Sequence, residues 1–197
     1  MVIFDNLTHE QRDVFQKFKN CVSATGYTSP YFTDSYLMRF LVARKFDLLK
    51  TNQMWSNFIN WRKEINVDAP FHYEELPEVK KYFPHAYFKT DKQGRPIYIE
   101  RVGQLNYDAF LSTTTKERFI RYYITLNERL VNEILPKCSI ESGREITQTF
   151  YIMDLTGMTW KTASKGVLDL TKALLTIGNN YYPELMGEMW IVNAPFI

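Results

Sequence analysis

Apolar residues in the first third of the chain recur at the spacing of an α-helix. The first apolar stripe follows Thr8 and Gln11, whose side chains fit a capping box, and stops before Gly26. Two further stripes predict a second helix that ends near Lys45 and a third helix over residues 48–64. The pattern therefore predicts an all-helical start.

After two prolines, the pattern changes to strands that alternate with helices. Residues 86–90 and 96–102 are rich in apolar and aromatic residues and flank a turn that contains Gly94, which predicts a β-hairpin. The later pattern predicts a helix over 115–135 closed by Pro136, a strand over 146–155, a helix over 161–178 closed by Gly178, a helical turn over 183–186 and a strand over 189–195. This order indicates an α/β fold (α+β overall), in which crossover helices connect a mixed sheet.

Composition narrows the class of protein. Of 197 residues, 45% are hydrophobic and 16% aromatic, and the net charge is only +2. A charge this small argues against a nucleic-acid partner but leaves room for a local basic patch. Cys21 and Cys138 are far apart and fit a reducing cytosol, with Cys21 expected in the core. No run reaches the roughly 20 apolar residues of a membrane span, so we expect a soluble, cytoplasmic protein with peripheral membrane contact.

The sequence carries no motif for catalysis. Its histidines, His9, His72 and His85, accompany no nucleophile elbow, metal-ligand spacing or glycine-rich phosphate loop. We therefore expect that the protein is not an enzyme and holds neither a metal nor a cofactor. A dehydrogenase-like α/β enzyme is disfavoured by the missing glycine loop.

Two groups of residues leave their role open. Arg44 and Lys45 stand at a predicted helix end, where cations favour the helix dipole, but the same pair could bind a phosphate. Tyrosines such as Tyr87, Tyr98 and Tyr151 lie on predicted strands. They fit an ordinary core or the wall of an apolar cavity equally well.

Several segments together resemble one family. They are LMRFLVARKFD with a downstream WRK, KTDKQGRPIYIE, IMDLTG, NNYYPELMG and IVNAPF, and they occur in family order. The chain is similar to the CRAL-TRIO lipid-binding family, most of all to its fungal-type phosphatidylinositol/phosphatidylcholine transfer branch. The resemblance implies an N-terminal helical tripod domain (1–70) and a lipid-binding domain (71–197). It also implies that a gating helix and a final wall follow residue 197, so the fold is expected to be incomplete at its C-terminus.

The resemblance also implies two sets of site residues. Arg44, Lys45 and Glu184 would bind the phosphoinositol headgroup. The second-lipid pocket would contain Tyr87, Tyr98, Asn127, Thr149, Tyr151 and Met153. Asn127 stands where the branch has a tyrosine, and Tyr151 where it has a small hydroxyl residue, so phosphatidylcholine binding is put in question.

The implied function is phospholipid binding and transfer between membranes, with phosphatidylinositol and a second lipid as ligands and no other cofactor. The implied setting is phosphoinositide metabolism and vesicle trafficking at Golgi or endosomal membranes, with a phosphoinositide kinase as functional partner. One alternative is another hydrophobic ligand, namely a sterol, a tocopherol-like molecule or a haem ligated by Tyr151. The other alternative is a regulatory or scaffold module that docks a partner protein.

Overall fold

The computed structural model describes residues 7–159 and 164–195, which fall into two compact units. The first unit contains the residues up to Ala69 together with Gly178–Leu185, and the second contains Pro70–Ile177 and the residues from Met186 onward. The division of the sequence into domains 1–70 and 71–197 stays a prediction.

Three helices form most of the first unit. They are α1 (His9–Ala24), α2 (Asp34–Ala43) and α3 (Leu48–Glu64). The predicted capping box of Thr8 and Gln11 is confirmed at the start of α1. The core of this unit is aromatic, because the ring of Trp55 contacts the rings of Phe18 and Phe40 at centroid distances of 5.9 and 5.0 Å.

The second unit contains a four-stranded sheet and the helices around it. In chain order its elements are α4 (Leu76–Tyr82), β1 (His85–Thr90), β2 (Pro96–Glu100), α5 (Tyr107–Thr113), α6 (Lys116–Arg129), α7 (Leu135–Ser142), β3 (Thr149–Asp154), α8 (Lys165–Tyr181) and β4 (Met186–Val192). The end of α8, from Gly178 onward, belongs to the first unit. The strand order is β1-β2-β3-β4, in which β1 and β2 are antiparallel and the other two pairs are parallel. The predicted mixed sheet with crossover helices is therefore confirmed.

Two predicted helix ends are wrong. Pro136 does not close a helix: it lies in the first turn of α7, where its missing N–H needs no partner, after a π-helical turn over Leu130–Ile134. Gly178 does not end α8, which continues to Tyr181, and the Tyr182 N–H donates to the Gly178 carbonyl at 3.0 Å. The predicted start of this helix, residues 161–163, lies outside the described residues.

Three other details also differ from the sequence prediction. Residues 183–186 form no helical turn, since Glu184 has a left-handed φ of 58° and β4 already begins at Met186. Cys21 is exposed and does not belong to the core as predicted. The buried face of α1 contains Phe15, Phe18 and Val22, and Cys21 lies next to that face on the solvent side. The short helices α4 and α5 were not predicted, and they supply Val79 and Phe110 to the core of the second unit.

Candidate functional site

The chain turns sharply between α2 and α3, at the predicted basic pair. After Ala43 the turn occupies residues 44–46, and Lys45 and Phe46 have φ angles of 51° and 61°. Both angles lie in the left-handed region that residues other than glycine rarely adopt. The Phe46 N–H closes the turn by donating to a carbonyl of α2 at 2.8 Å, and Asp47 then caps α3. The backbone thus fixes the point at which the two cationic side chains leave the helix.

Arg44 lines a small pocket of about 140 Å³, here called the basic pocket. The other lining residues are Met54, Asn57, Asn180 and Tyr181. The guanidinium of Arg44 donates one hydrogen bond, from Nη1 to the carbonyl of Ala43 at 3.0 Å. Since a guanidinium carries five N–H donors, the remaining donors suit an anion with several oxygens, and the two amides suit hydroxyl groups.

The other two predicted headgroup residues belong to the same unit but do not line the basic pocket. Lys45 is exposed beside Arg44, and the exposed Glu184 lies in the turn that precedes β4. Buried Arg39 donates from Nη1 to the carbonyl of Glu184 at 3.3 Å, which holds this turn. Lys45 and Glu184 both have left-handed backbone conformations, and such strain of about 1–3 kcal/mol per residue is concentrated at functional sites.

Most of the predicted second-lipid residues lie on one face of the sheet, here called the tyrosine face. Register places Tyr87 opposite Tyr98, and Tyr98 opposite Tyr151. The centroid of the Tyr98 ring is 4.9 Å from that of Tyr87 and 5.4 Å from that of Tyr151. Burial raises the pKa of Tyr87 and of Tyr98, so both phenol hydroxyl groups carry their protons at neutral pH. The row therefore offers neutral donors and ring faces.

The remaining residues predicted for the second-lipid pocket are Met153, Thr149 and Asn127, and they differ in their position relative to the tyrosine face. Met153 pairs with Glu100 on the same face, and Thr149 begins β3 as a buried residue. Asn127 lies on α6, where its Nδ2 donates to the backbone carbonyl of Tyr123 at 2.8 Å. This amide is therefore engaged by its own helix.

The structure adds a buried histidine to the tyrosine face. His85 lies two residues before Tyr87, and its Nδ1 is 2.8 Å from the carbonyl of Phe83. A carbonyl only accepts, so Nδ1 carries the proton, and Nε2 accepts from the Tyr122 hydroxyl at 3.2 Å. Burial lowers the pKa of His85 to about 4, so its ring is neutral at pH 7.

It also adds a carboxyl group. Glu100 lies two residues after Tyr98, opposite His85 and Met153. Burial raises its pKa to about 7. Strand alternation could have identified His85 and Glu100, because residues two apart on a strand share a face. No sequence signal identified Asn57 and Asn180, which approach Arg44 only through tertiary packing.

The described part of the chain contains no group of three or more His, Cys, Asp or Glu side chains placed to hold a metal ion. Among its helices, none combines the length and the apolar character needed to cross a membrane.

Comparison with known proteins identifies the family. A model of the CRAL/TRIO domain matches residues 80–197. The chain is 41% identical over 194 residues to the SEC14 cytosolic factor of Kluyveromyces lactis, a match that covers 97% of this chain and 64% of the relative. It is 38% identical over 198 residues to the phosphatidylinositol/phosphatidylcholine transfer protein SFH9 of Arabidopsis thaliana, covering 98% of this chain and 34% of the relative.

A solved structure shares the fold. The crystal structure of Sfh5 matches with a TM-score of 0.71 at 20% sequence identity, over 98% of this chain and 73% of that chain. The chain spans less than two thirds of the length of the curated relatives above. The domain match covers more than half of the chain, and this chain therefore belongs to the CRAL/TRIO domain family.

Proposed function

We propose that this protein binds phosphatidylinositol and a second lipid and moves them between membranes. The observation that carries the proposal is the position of Arg44, which lines a pocket together with Asn57 and Asn180 at a strained helix end. The proposal is supported by identity to relatives that are named as phosphatidylinositol/phosphatidylcholine transfer proteins. The action is binding without bond cleavage.

In this proposal the basic pocket receives the headgroup. Arg44 and exposed Lys45 contact the phosphate, where a guanidinium can donate two parallel hydrogen bonds and an ammonium adds a point charge. Asn57 and Asn180 donate to and accept from inositol hydroxyls. Glu184, in the turn held by Arg39, accepts from a further hydroxyl.

The tyrosine face receives the second lipid. Its rings provide apolar surface, and its protonated hydroxyl groups provide donors for an ester or phosphate oxygen. Enclosure of acyl chains offsets a cost of about 0.8 kcal/mol for each CH₂ that would otherwise enter water. Such an offset is what allows a protein to carry a lipid from one membrane to another.

A different second ligand is favoured by one contact. The large ring of Tyr151 packs against Tyr98 at a position where the family resemblance implies a small hydroxyl residue, and this ring would occupy space for a phosphocholine group. A sterol or another compact apolar molecule fits the smaller space. We extend the proposal to a role in phosphoinositide metabolism and vesicle trafficking, at Golgi or endosomal membranes and with a phosphoinositide kinase as functional partner.

Lipid mass spectrometry tests the proposal. Purified protein is incubated with vesicles that contain phosphatidylinositol, phosphatidylcholine, phosphatidylethanolamine and a sterol, and is then separated from them and extracted. We expect phosphatidylinositol at no less than ten times its share in the vesicles, together with one further lipid class. A protein that carries no lipid is expected from the scaffold alternative and would contradict transfer, and an absorbance scan of the same sample reports haem.

A further inference from the structure

One polar group on the tyrosine face is used by neither the fold nor the proposed lipid contacts. Glu100 is the last residue of β2 and is partly buried. Its neighbours across the sheet are His85 on β1 and Met153 on β3. In the described part of the chain, the carboxyl group of Glu100 forms no hydrogen bond or ion pair, and burial alone sets the direction of its pKa shift.

The neighbouring polar groups do not neutralise this carboxyl group. His85 is neutral at pH 7, and both of its ring nitrogens are already engaged by Phe83 and Tyr122. Burial raises the pKa of Tyr98 and of Tyr123, and the nearby charge of Glu100 adds to both shifts, so both phenols are neutral. Among the described residues, no cation lowers the pKa of Glu100, because burial is the cause of its shift.

A partly buried carboxyl group without a hydrogen-bond partner in the protein stays available to a ligand, and it provides strong recognition when that ligand supplies the donor. The ligand that satisfies it carries a hydroxyl or primary amine next to an apolar body. A choline headgroup lacks such a donor, because its nitrogen is fully methylated. The position of Glu100 among tyrosine rings therefore favours one chemical class of second ligand.

We propose that Glu100 determines the specificity of the second-lipid pocket, by accepting a hydrogen bond from a hydroxyl or primary amine of the bound lipid. This inference rests on the proposed lipid-binding function and refines it. It assigns the second ligand to donor-bearing lipids, in place of phosphatidylcholine. The shared chemistry has two sources, an amine-bearing phospholipid headgroup and a sterol hydroxyl, and paired ligands distinguish them.

The test measures extraction from vesicles with two matched pairs. The first pair is phosphatidylethanolamine and phosphatidylcholine with identical acyl chains, and the second is cholesterol and its 3-ketone, cholestenone. We expect the wild-type protein to prefer the donor-bearing member of one pair by at least tenfold. Glu100→Leu should bring this ratio within twofold of one, while Glu100→Gln, which keeps an accepting oxygen, should retain part of the preference.

Glu188→Leu is the matched control, because Glu188 pairs with Phe150 on the opposite face of the same sheet. It should leave the ratio unchanged. Wild-type ratios near one in both pairs, or a ratio unaffected by Glu100→Leu, would overturn the proposal. Phosphatidylinositol transfer is measured in the same samples. If the wild-type protein transferred no phosphatidylinositol, only the proposed function of the basic pocket would be overturned. A lipid preference that Glu100→Leu abolishes would still support the role of Glu100.

Discussion

The ring of Tyr181 lies flat on the ring of Trp61, with centroids 3.9 Å apart and planes 5° from parallel. Trp61 belongs to α3, and Tyr181 is both the last residue of α8 and a wall of the basic pocket. Trp61 also meets Tyr182 edge-on, at a centroid distance of 5.9 Å. These contacts hold the pocket wall in place, so Trp61 is a positioning residue for the proposed headgroup site.

Trp61→Ala should lower phosphatidylinositol transfer by about threefold to tenfold, since an aromatic pair contributes about 0.5–1.5 kcal/mol beyond its buried area. Trp61→Phe, which can still stack, should keep most of the activity. The measurement is the ratio of phosphatidylinositol transfer to second-lipid transfer. A purely structural role for Trp61 predicts equal losses of both lipids, and that result would contradict the assignment.

The strained backbone at Lys45 can be separated from its charge. Lys45→Gly relieves the left-handed φ of 51° and should raise the free energy of unfolding by about 0.5–1 kcal/mol relative to Lys45→Ala. Both variants remove the ammonium and should lose phosphatidylinositol transfer to the same extent. Chemical denaturation and a transfer assay on the two proteins check this. A Lys45→Gly protein with normal transfer would show that the charge has no role.

Space beside Tyr98 should control access for a phosphocholine group. Tyr151→Ser removes a ring whose centroid lies 5.4 Å from that of Tyr98 and leaves a small hydroxyl residue in its place. We expect extraction of phosphatidylcholine from vesicles to rise at least fivefold, a factor that corresponds to about 1 kcal/mol. Tyr151→Phe keeps the ring and should behave like the wild type. If extraction of phosphatidylcholine rose equally in both variants, the phenol hydroxyl, and not the volume of the ring, would be what excludes the phosphocholine group.

Glu100 should make stability depend on pH. Its pKa is raised to about 7 in the folded protein, above the value near 4.5 of an unperturbed glutamate. The folded state therefore binds more protons between these values, so stability is fully present below pH 4.5 and falls as pH rises through 7.

Glu100→Gln removes this titration and should be more stable than the wild type by about 2 kcal/mol at pH 8, with little difference at pH 4.5. Thermal unfolding of the two proteins across this range is the measurement. His85, whose pKa is lowered to about 4, titrates in the same range, but its contribution cancels in the difference between the two proteins. An equal gap at every pH would contradict a raised pKa for Glu100.

Much of the fold was predictable because local signals and packing agree. The capping box of Thr8 and Gln11 starts α1 as expected, and α3 has the predicted bounds Leu48–Glu64. The predicted ends failed where tertiary structure overrides a local breaker. Gly178 has low helix propensity, yet α8 continues past it to Tyr181, whose ring gains the stack on Trp61.

The candidate site was predictable only in part. Arg44 and Tyr98 were predicted as site residues only from the family resemblance. Their local patterns alone fit an ordinary helix end and an ordinary strand as well as they fit a binding site. His85 and Glu100 follow from alternation once the face of Tyr98 is known. Asn57 and Asn180 are 123 positions apart in the chain and meet only in the folded first unit, so no local pattern marks them.

Transfer of phosphatidylinositol by an Arg44→Ala/Lys45→Ala protein tests the central claim most directly. Lys80→Ala/Lys81→Ala is the matched control, because it removes two exposed cations from the last turn of another helix, α4. Charge-assisted hydrogen bonds contribute about 1.5–3 kcal/mol each, so the Arg44→Ala/Lys45→Ala protein should transfer phosphatidylinositol more than tenfold more slowly than the wild type. It should transfer the second lipid at the wild-type rate. The control protein should transfer both lipids at the wild-type rate. Equal loss of both lipids, or no loss of either, would contradict a headgroup site at Arg44 and Lys45.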